Sequence, residues 1–155
     1  MSIVNIKNKI NLSYVGAFLL GLLGGVSYIP FSYTIFTAIL ALAGLWTLWL
    51  QETSLKKIFI QGWLFQLALT LVGFNWVYHV AREFGYFPPF LAFITLLLFS
   101  ALANLYIPLT GWLWGLTRHW LQLPFAISAF LLPLFYFLGE TLMPTVFPWN
   151  FGYIF

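Results

Sequence analysis

Residues 73–89 read GFNWVYHVAREFGYFPP, and apolar sequence converges on this knot from both sides. An amide (Asn75), the rings of Trp76 and Tyr78, His79, an Arg82-Glu83 pair, a glycine and two prolines follow one another closely. That order is what a helix leaving lipid for water requires: amphipathic rings at headgroup depth, then charge, then turn formers. The stretch therefore reads as a membrane surface, with apolar helices on either side of it.

Composition supports this reading. Of the 155 residues, 63% are hydrophobic, 22% aromatic and only 6% charged, and mean hydropathy is +0.97. A water-soluble domain carries about 25% charged residues, so this is an integral membrane protein. The formal charge of +3 comes from six Lys/Arg scattered along the chain. It speaks for orientation in the bilayer and against nucleic acid, which needs a basic patch in a polar surface. Cysteine and aspartate are both absent. No disulfide, thiolate metal site or cysteine nucleophile can form from these residues, and carboxylate chemistry is left to Glu52, Glu83 and Glu140.

Outward from the knot, the sequence predicts an all-α, polytopic bundle of about five transmembrane helices, at roughly 12–29, 33–50, 58–78, 90–117 and 124–143, in one module spanning 1–155. The first segment follows Lys7 and Lys9 and is uncharged over a length that spans the hydrocarbon core. It ends in Tyr28-Ile29-Pro30 instead of a small-x-small cleavage site, so it reads as a retained helix and not a signal peptide. Ala17, Gly21 and Gly25 recur at i, i+4 and i+8, a small-residue stripe that lets another helix approach closely. Trp46 and Trp49, at the end of the second span, read as interface anchors. Gln61, Gln66 and Asn75 on the third are expected to hydrogen-bond neighbouring helices where water is missing. Pro108 should kink the fourth span and Pro133 the fifth, since each removes a backbone donor and crowds the preceding turn.

Orientation follows from the cations, because Lys and Arg are retained on the cytoplasmic side. Lys7, Lys9, Lys56, Lys57 and Arg118 fall on one side of five crossings and Arg82 alone on the other. The amino terminus is therefore expected inside. The knot and the tail Phe147-Pro148-Trp149-Asn150-Phe151-Gly152-Tyr153 are expected on the outer face.

Gly73-Phe74-Asn75-Trp76-Val77-Tyr78, then Phe84-Gly85 before prolines, then Glu140 ahead of Phe147-Pro148-Trp149 and Gly152-Tyr153, resemble the membrane portion of bacterial apolipoprotein N-acyltransferase in order and spacing. The Pro30-Phe31 turn and the run from Ala41 to Leu45 are similar too. The resemblance implies an enzyme of lipoprotein maturation in the bacterial inner membrane. It moves an acyl chain from a phospholipid to the amino group of an apolipoprotein's lipidated N-terminal cysteine. It also implies a thioacyl intermediate on a Glu-Lys-Cys triad in a nitrilase-like domain outside the membrane. No triad residue maps onto a position here, because the chain has no cysteine. Either the sequence is a fragment, or a nitrilase-like catalytic partner in another chain of a split enzyme supplies the rest, or the module has lost catalysis; the resemblance also implies phospholipid and apolipoprotein substrates reached through the outer face, and no cofactor. The alternative is a non-catalytic scaffold or lipid-binding subunit of a split enzyme; a transporter fragment fits less well, since the polar residues gather at the face and not at mid-depth.

Candidate lipid-seating residues are Trp149 and Phe147, placed beside a proline at the acyl and headgroup boundary, with Asn75, Trp76 and Tyr78 from the knot. Glu140, an ionisable group at membrane depth, is expected to pair with Arg82 as a structural lock. His79 and Glu83 share a helix face at i, i+4, but a metal needs more ligands, and His119 belongs to the opposite side, so no metal site is expected.

Overall fold

The computed structural model describes residues 3–29 and 34–143, with side chains from residue 12 onward. These residues form seven helices: α1 (Ile3–Val26), α2 (Thr34–Gln51), α3 (Leu55–Gly73), α4 (Trp76–Glu83), α5 (Pro89–Leu102), α6 (Tyr106–Trp120) and α7 (Phe125–Leu142). Thr34–Gln51, Leu55–Gly73, Pro89–Trp120 and Phe125–Leu142 are long and apolar enough to cross a bilayer, and Leu12–Val26 is a shorter apolar helix. The chain is an all-α polytopic membrane bundle.

Helix α3 lies at its centre, packed on α1, α6, α5 and α2. Lipid tails are as apolar as leucine, so helices associate in a membrane where small residues let backbones touch. The stripe on α1 does this. Ala17 is fully buried, a Cβ on Gly21 would strike the Phe65 carbonyl, and one on Gly25 would meet Val72 and the Leu69 carbonyl. Gly62 of α3 lies against Pro108 of α6, Gly115 against Ile58 and Leu55, and Gly139 of α7 against Thr110.

The structure corrects the reading of Trp46 and Trp49 as interface anchors. Trp49 is 0% exposed, its ring lies over Gly62 and Gly111, and its Nε1 donates to the Ile58 carbonyl at 3.1 Å. Trp46 is half-buried, with its ring edge-on to Tyr136 at 5.9 Å between centroids. The glycines of α3 and α6 leave a space that only a large ring fills, and this draws Trp49 inward.

Two spans expected to be single helices are divided. The third stops at Gly73, whose bare Cα lies against the Tyr28 ring, and the chain turns through Phe74 and Asn75 into α4. In the fourth, the interruption falls at residues 103–105, upstream of Pro108. Pro108 has no N–H, and its ring crowds the carbonyl four residues back, so the ladder breaks there and not at the proline itself. Ile107 N tightens onto the Asn104 carbonyl at 3.0 Å. Gln66 Nε2 then donates to the freed carbonyls of Ser100 (3.0 Å) and Ala101 (2.9 Å), and Trp63 Nε1 to that of Ala101 (3.1 Å). Asn104 Nδ2 donates to Thr70 Oγ1 at 2.9 Å. Gln66 thus bonds a neighbouring helix as its sequence position implies, whereas Gln61 is buried with its Oε1 unmatched by any described residue. Helix α7 runs through Pro133 unbroken.

One end of the bundle is basic. Arg118 donates to the Leu50 carbonyl at 3.1 Å and the Glu52 carbonyl at 3.4 Å, satisfying the end of α2, and its guanidinium lies 5.5 Å above the Trp114 ring. Lys57 pairs with Glu52 at 3.3 Å. At the opposite end lie α4 and the start of α5. Pro89–Trp120 has 32 residues, divided at residues 103–105 into α5 and α6. The bonds and ring contacts that tie α5 to α3 fall at Phe99, Ser100 and Ala101, and its earlier turns pack on α4.

Candidate functional site

The end remote from Arg118 is built around Phe74. This ring is 3% exposed and forms the turn between α3 and α4. Tyr28 from the end of α1 lies 5.2 Å from it, Phe99 of α5 5.9 Å and Trp76 of α4 6.4 Å, all at tilted angles. Offset and tilted aromatic pairs contribute about 0.5–1.5 kcal/mol beyond their buried area, so the cluster fixes the junction of α1, α3, α4 and α5.

Deeper in the bundle is a polar group. Tyr106 of α6 and Tyr136 of α7 are buried, with hydroxyl oxygens 3.4 Å apart and rings edge-on at 5.8 Å. Glu140, one turn further along α7 and half-buried, is near enough to act electrostatically on Tyr28, Tyr106 and Tyr136. The bond shown in this group is the one between the Tyr106 and Tyr136 hydroxyls, with Glu140 acting on the three phenols through its charge. The group holds no thiol, since the chain has no cysteine.

The sequence-predicted residues divide accordingly. Trp76 joins the cluster through Phe74, whose ring also meets Tyr28. Asn75 sits at the start of α4, exposed, and its side chain makes no capping bond. Tyr78 is half-buried, with its ring edge-on to His79 at 5.5 Å. Arg82, expected to pair with Glu140, lies in the last turn of α4, and its Nη1 donates to the Phe87 carbonyl at 3.2 Å, closing its own loop on an exposed face. Phe147 and Trp149 lie outside the described residues. Sequence reasoning missed Tyr28, Phe99, Tyr106 and Tyr136. A signal existed: Tyr28, Tyr106 and Tyr136 each fall two or three residues from a proline in otherwise apolar sequence, where a hydroxyl must find a partner.

Beyond the cluster, α4 and α5 form a hairpin with exposed rings at its tip: Phe84, Tyr86, Phe87, Phe90 and Phe93. Tyr86, 89% exposed, takes the left-handed turn conformation (φ 51°) in place of the adjacent Gly85. The turn is closed by Gly85 N to the Val80 carbonyl at 3.2 Å and Phe87 N to the Ala81 carbonyl at 3.1 Å.

Residues 20–155 match the sequence pattern of the apolipoprotein N-acyltransferase N-terminal domain. The apolipoprotein N-acyltransferase of Bdellovibrio bacteriovorus is 39% identical over 142 residues, covering 88% of this chain and 25% of that protein. That of Ralstonia nicotianae is 34% identical over 141 residues, 88% of this chain and 27% of the relative. Apolipoprotein N-acyltransferase 2 of Leptospira interrogans is 28% identical over 137 residues, 85% and 22% respectively. The chain therefore spans about a quarter of the length of the curated relatives it matches. No solved structure matches it.

Proposed function

The chain belongs to the apolipoprotein N-acyltransferase family, and from that premise we propose that it is the membrane-embedded part of such an enzyme and that its aromatic end seats the lipid substrate. In this reading the basic end faces the cytoplasm, since five of six cations gather there, and the Phe74 cluster and the α4–α5 hairpin face outward from a bacterial inner membrane. The acyl donor is a phospholipid and the acceptor the lipidated N-terminal cysteine of an apolipoprotein. Thioacyl chemistry is supplied by a nitrilase-like Glu-Lys-Cys domain, because no thiolate exists among these residues. The chain's own contribution is placement.

One observation carries this reading. The Tyr28-Phe74-Trp76-Phe99 cluster lies at the foot of a hairpin with exposed rings, and the half-buried Glu140 acts electrostatically on Tyr28 of that cluster. Rings at that boundary hold acyl chain and glycerol region at once, and Glu140 with its phenols provides polar contacts for a headgroup or an amine.

The test is acyl transfer per inserted molecule, with this chain completed by the catalytic portion of a relative. Trp76→Ala should lower transfer about tenfold or more with insertion unchanged. Trp120→Ala, an exposed ring of the basic end, should have little effect. Equal activity in the two variants would reject the assignment of the aromatic end.

A further inference from the structure

The lipid-facing side of the seam between α3 and α6 carries a groove of about 360 Å³ lined by Lys56, Phe59, Leu109 and Trp112. Its size falls within the roughly 300–1,000 Å³ of small-molecule sites. Lys56 is exposed in the first turn of α3, Phe59 lies one turn deeper, and Leu109 and Trp112 form the opposite wall about a third exposed. The groove exists because Gly62 brings α3 hard against Pro108 of α6, leaving the flanking side chains to stand apart on either side. Charge is confined to its mouth.

Two cations described at this end are engaged: Lys57 pairs with Glu52, and Arg118 donates to the carbonyls of Leu50 and Glu52. Among the described residues, Lys56 alone of these three has no hydrogen-bond or ion-pair partner. An ammonium at headgroup depth above an apolar slot matches the two halves of an anionic phospholipid. A long lysine stem also lets the charge stay in the headgroup layer while its methylenes line the slot.

We propose that this groove is a binding site for one anionic glycerophospholipid of the leaflet at the basic end, with its phosphate on Lys56 Nζ and an acyl chain along Phe59, Trp112 and Leu109. The site is separate from the aromatic end and does not depend on the acyl-transfer reading. A zwitterionic lipid fills the slot equally well but carries a choline cation beside Lys56, so the head and not the tail gives the selectivity.

The experiment is titration of the purified chain in neutral detergent with phosphatidylglycerol or phosphatidylcholine, counting bound lipid by native mass spectrometry. Phosphatidylglycerol should bind several-fold tighter than phosphatidylcholine. Lys56→Gln should weaken it about fivefold, as expected for one lysine near an anionic surface, and Lys56→Arg should retain it. Lys57→Gln should leave it unchanged, and Trp112→Ala should weaken both lipids. Glycerophosphoglycerol, the same head without chains, should fail to bind. Equal affinity for the two lipids, an unaltered Kd in Lys56→Gln, the same loss in Lys57→Gln, or tight binding of the chain-free head would each overturn the site.

Discussion

Trp49, Trp76 and Trp120 show how one residue type takes three roles according to what surrounds it. Trp49 fills the space above Gly62 and Gly111 and donates to a carbonyl, so Trp49→Ala opens a cavity and removes the second donor to the Ile58 oxygen. A loss of about 3–5 kcal/mol is expected, the range for truncating a buried ring. Thermal unfolding in detergent should show Trp49→Ala melting well below the parent. Trp120→Ala, 77% exposed before truncation, should shift the midpoint little. The sequence places both tryptophans near helix ends, which is why Trp49 reads there as an anchor. What distinguishes it is two glycines on other helices, at positions 62 and 111, and their convergence under the ring is a tertiary fact. The tyrosines near Glu140 were hidden for the same reason: three separate segments deliver them. Gln66 was readable because a buried amide in lipid has to find a partner, and only the identity of the carbonyls it takes required the fold.

At the scale of elements, prolines and glycines made the spans countable but not their breaks. The run Pro89–Trp120 is apolar throughout, so periodicity gives no reason to stop at residue 102. The break follows from Pro108 acting four residues upstream, with the acceptors it frees matched by Gln66 and Trp63 on α3. The α4–α5 hairpin is the element whose position carries most of the proposed function. In this chain, which has no cysteine of its own, Thr53→Cys and Phe84→Cys introduce single exposed thiols at opposite ends of α3 and α4. A membrane-impermeant thiol reagent added to intact cells should label Phe84→Cys, and Thr53→Cys only after permeabilisation. Labelling of both from outside would contradict the five-crossing arrangement. The hairpin tip permits a cleaner test of its ring. Tyr86 holds a left-handed backbone that costs a non-glycine residue about 1–2 kcal/mol, so Tyr86→Gly should fold at least as stably as the parent. If the tip seats lipid, the same variant should transfer acyl chains more slowly in the completed enzyme, and a drop in activity without a drop in stability isolates the ring.

For the whole molecule, the organising fact is that α3 touches most of the other helices, so α1, α6 and the hairpin are positioned relative to one another through it. Its contact with α1 has no room to spare at Gly21, where any side chain meets the Phe65 backbone. Gly21→Ile should therefore separate α1 from α3 and displace Tyr28 from Phe74. Yet a correctly assembled bundle is not expected to turn over by itself. Acyl transfer through a thioester requires a thiolate to attack the phospholipid ester and then a free amine to accept the chain. The chain has no cysteine and so supplies no such thiolate. The purified chain, incubated with phospholipid and a diacylated lipopeptide, should yield no triacylated product. The same preparation completed by a relative's Glu-Lys-Cys portion should yield product, and should lose it when Gly21→Ile is introduced. Product from the cysteine-free chain alone would mean that a different nucleophile operates, with Glu140 and its tyrosines the first place to seek it.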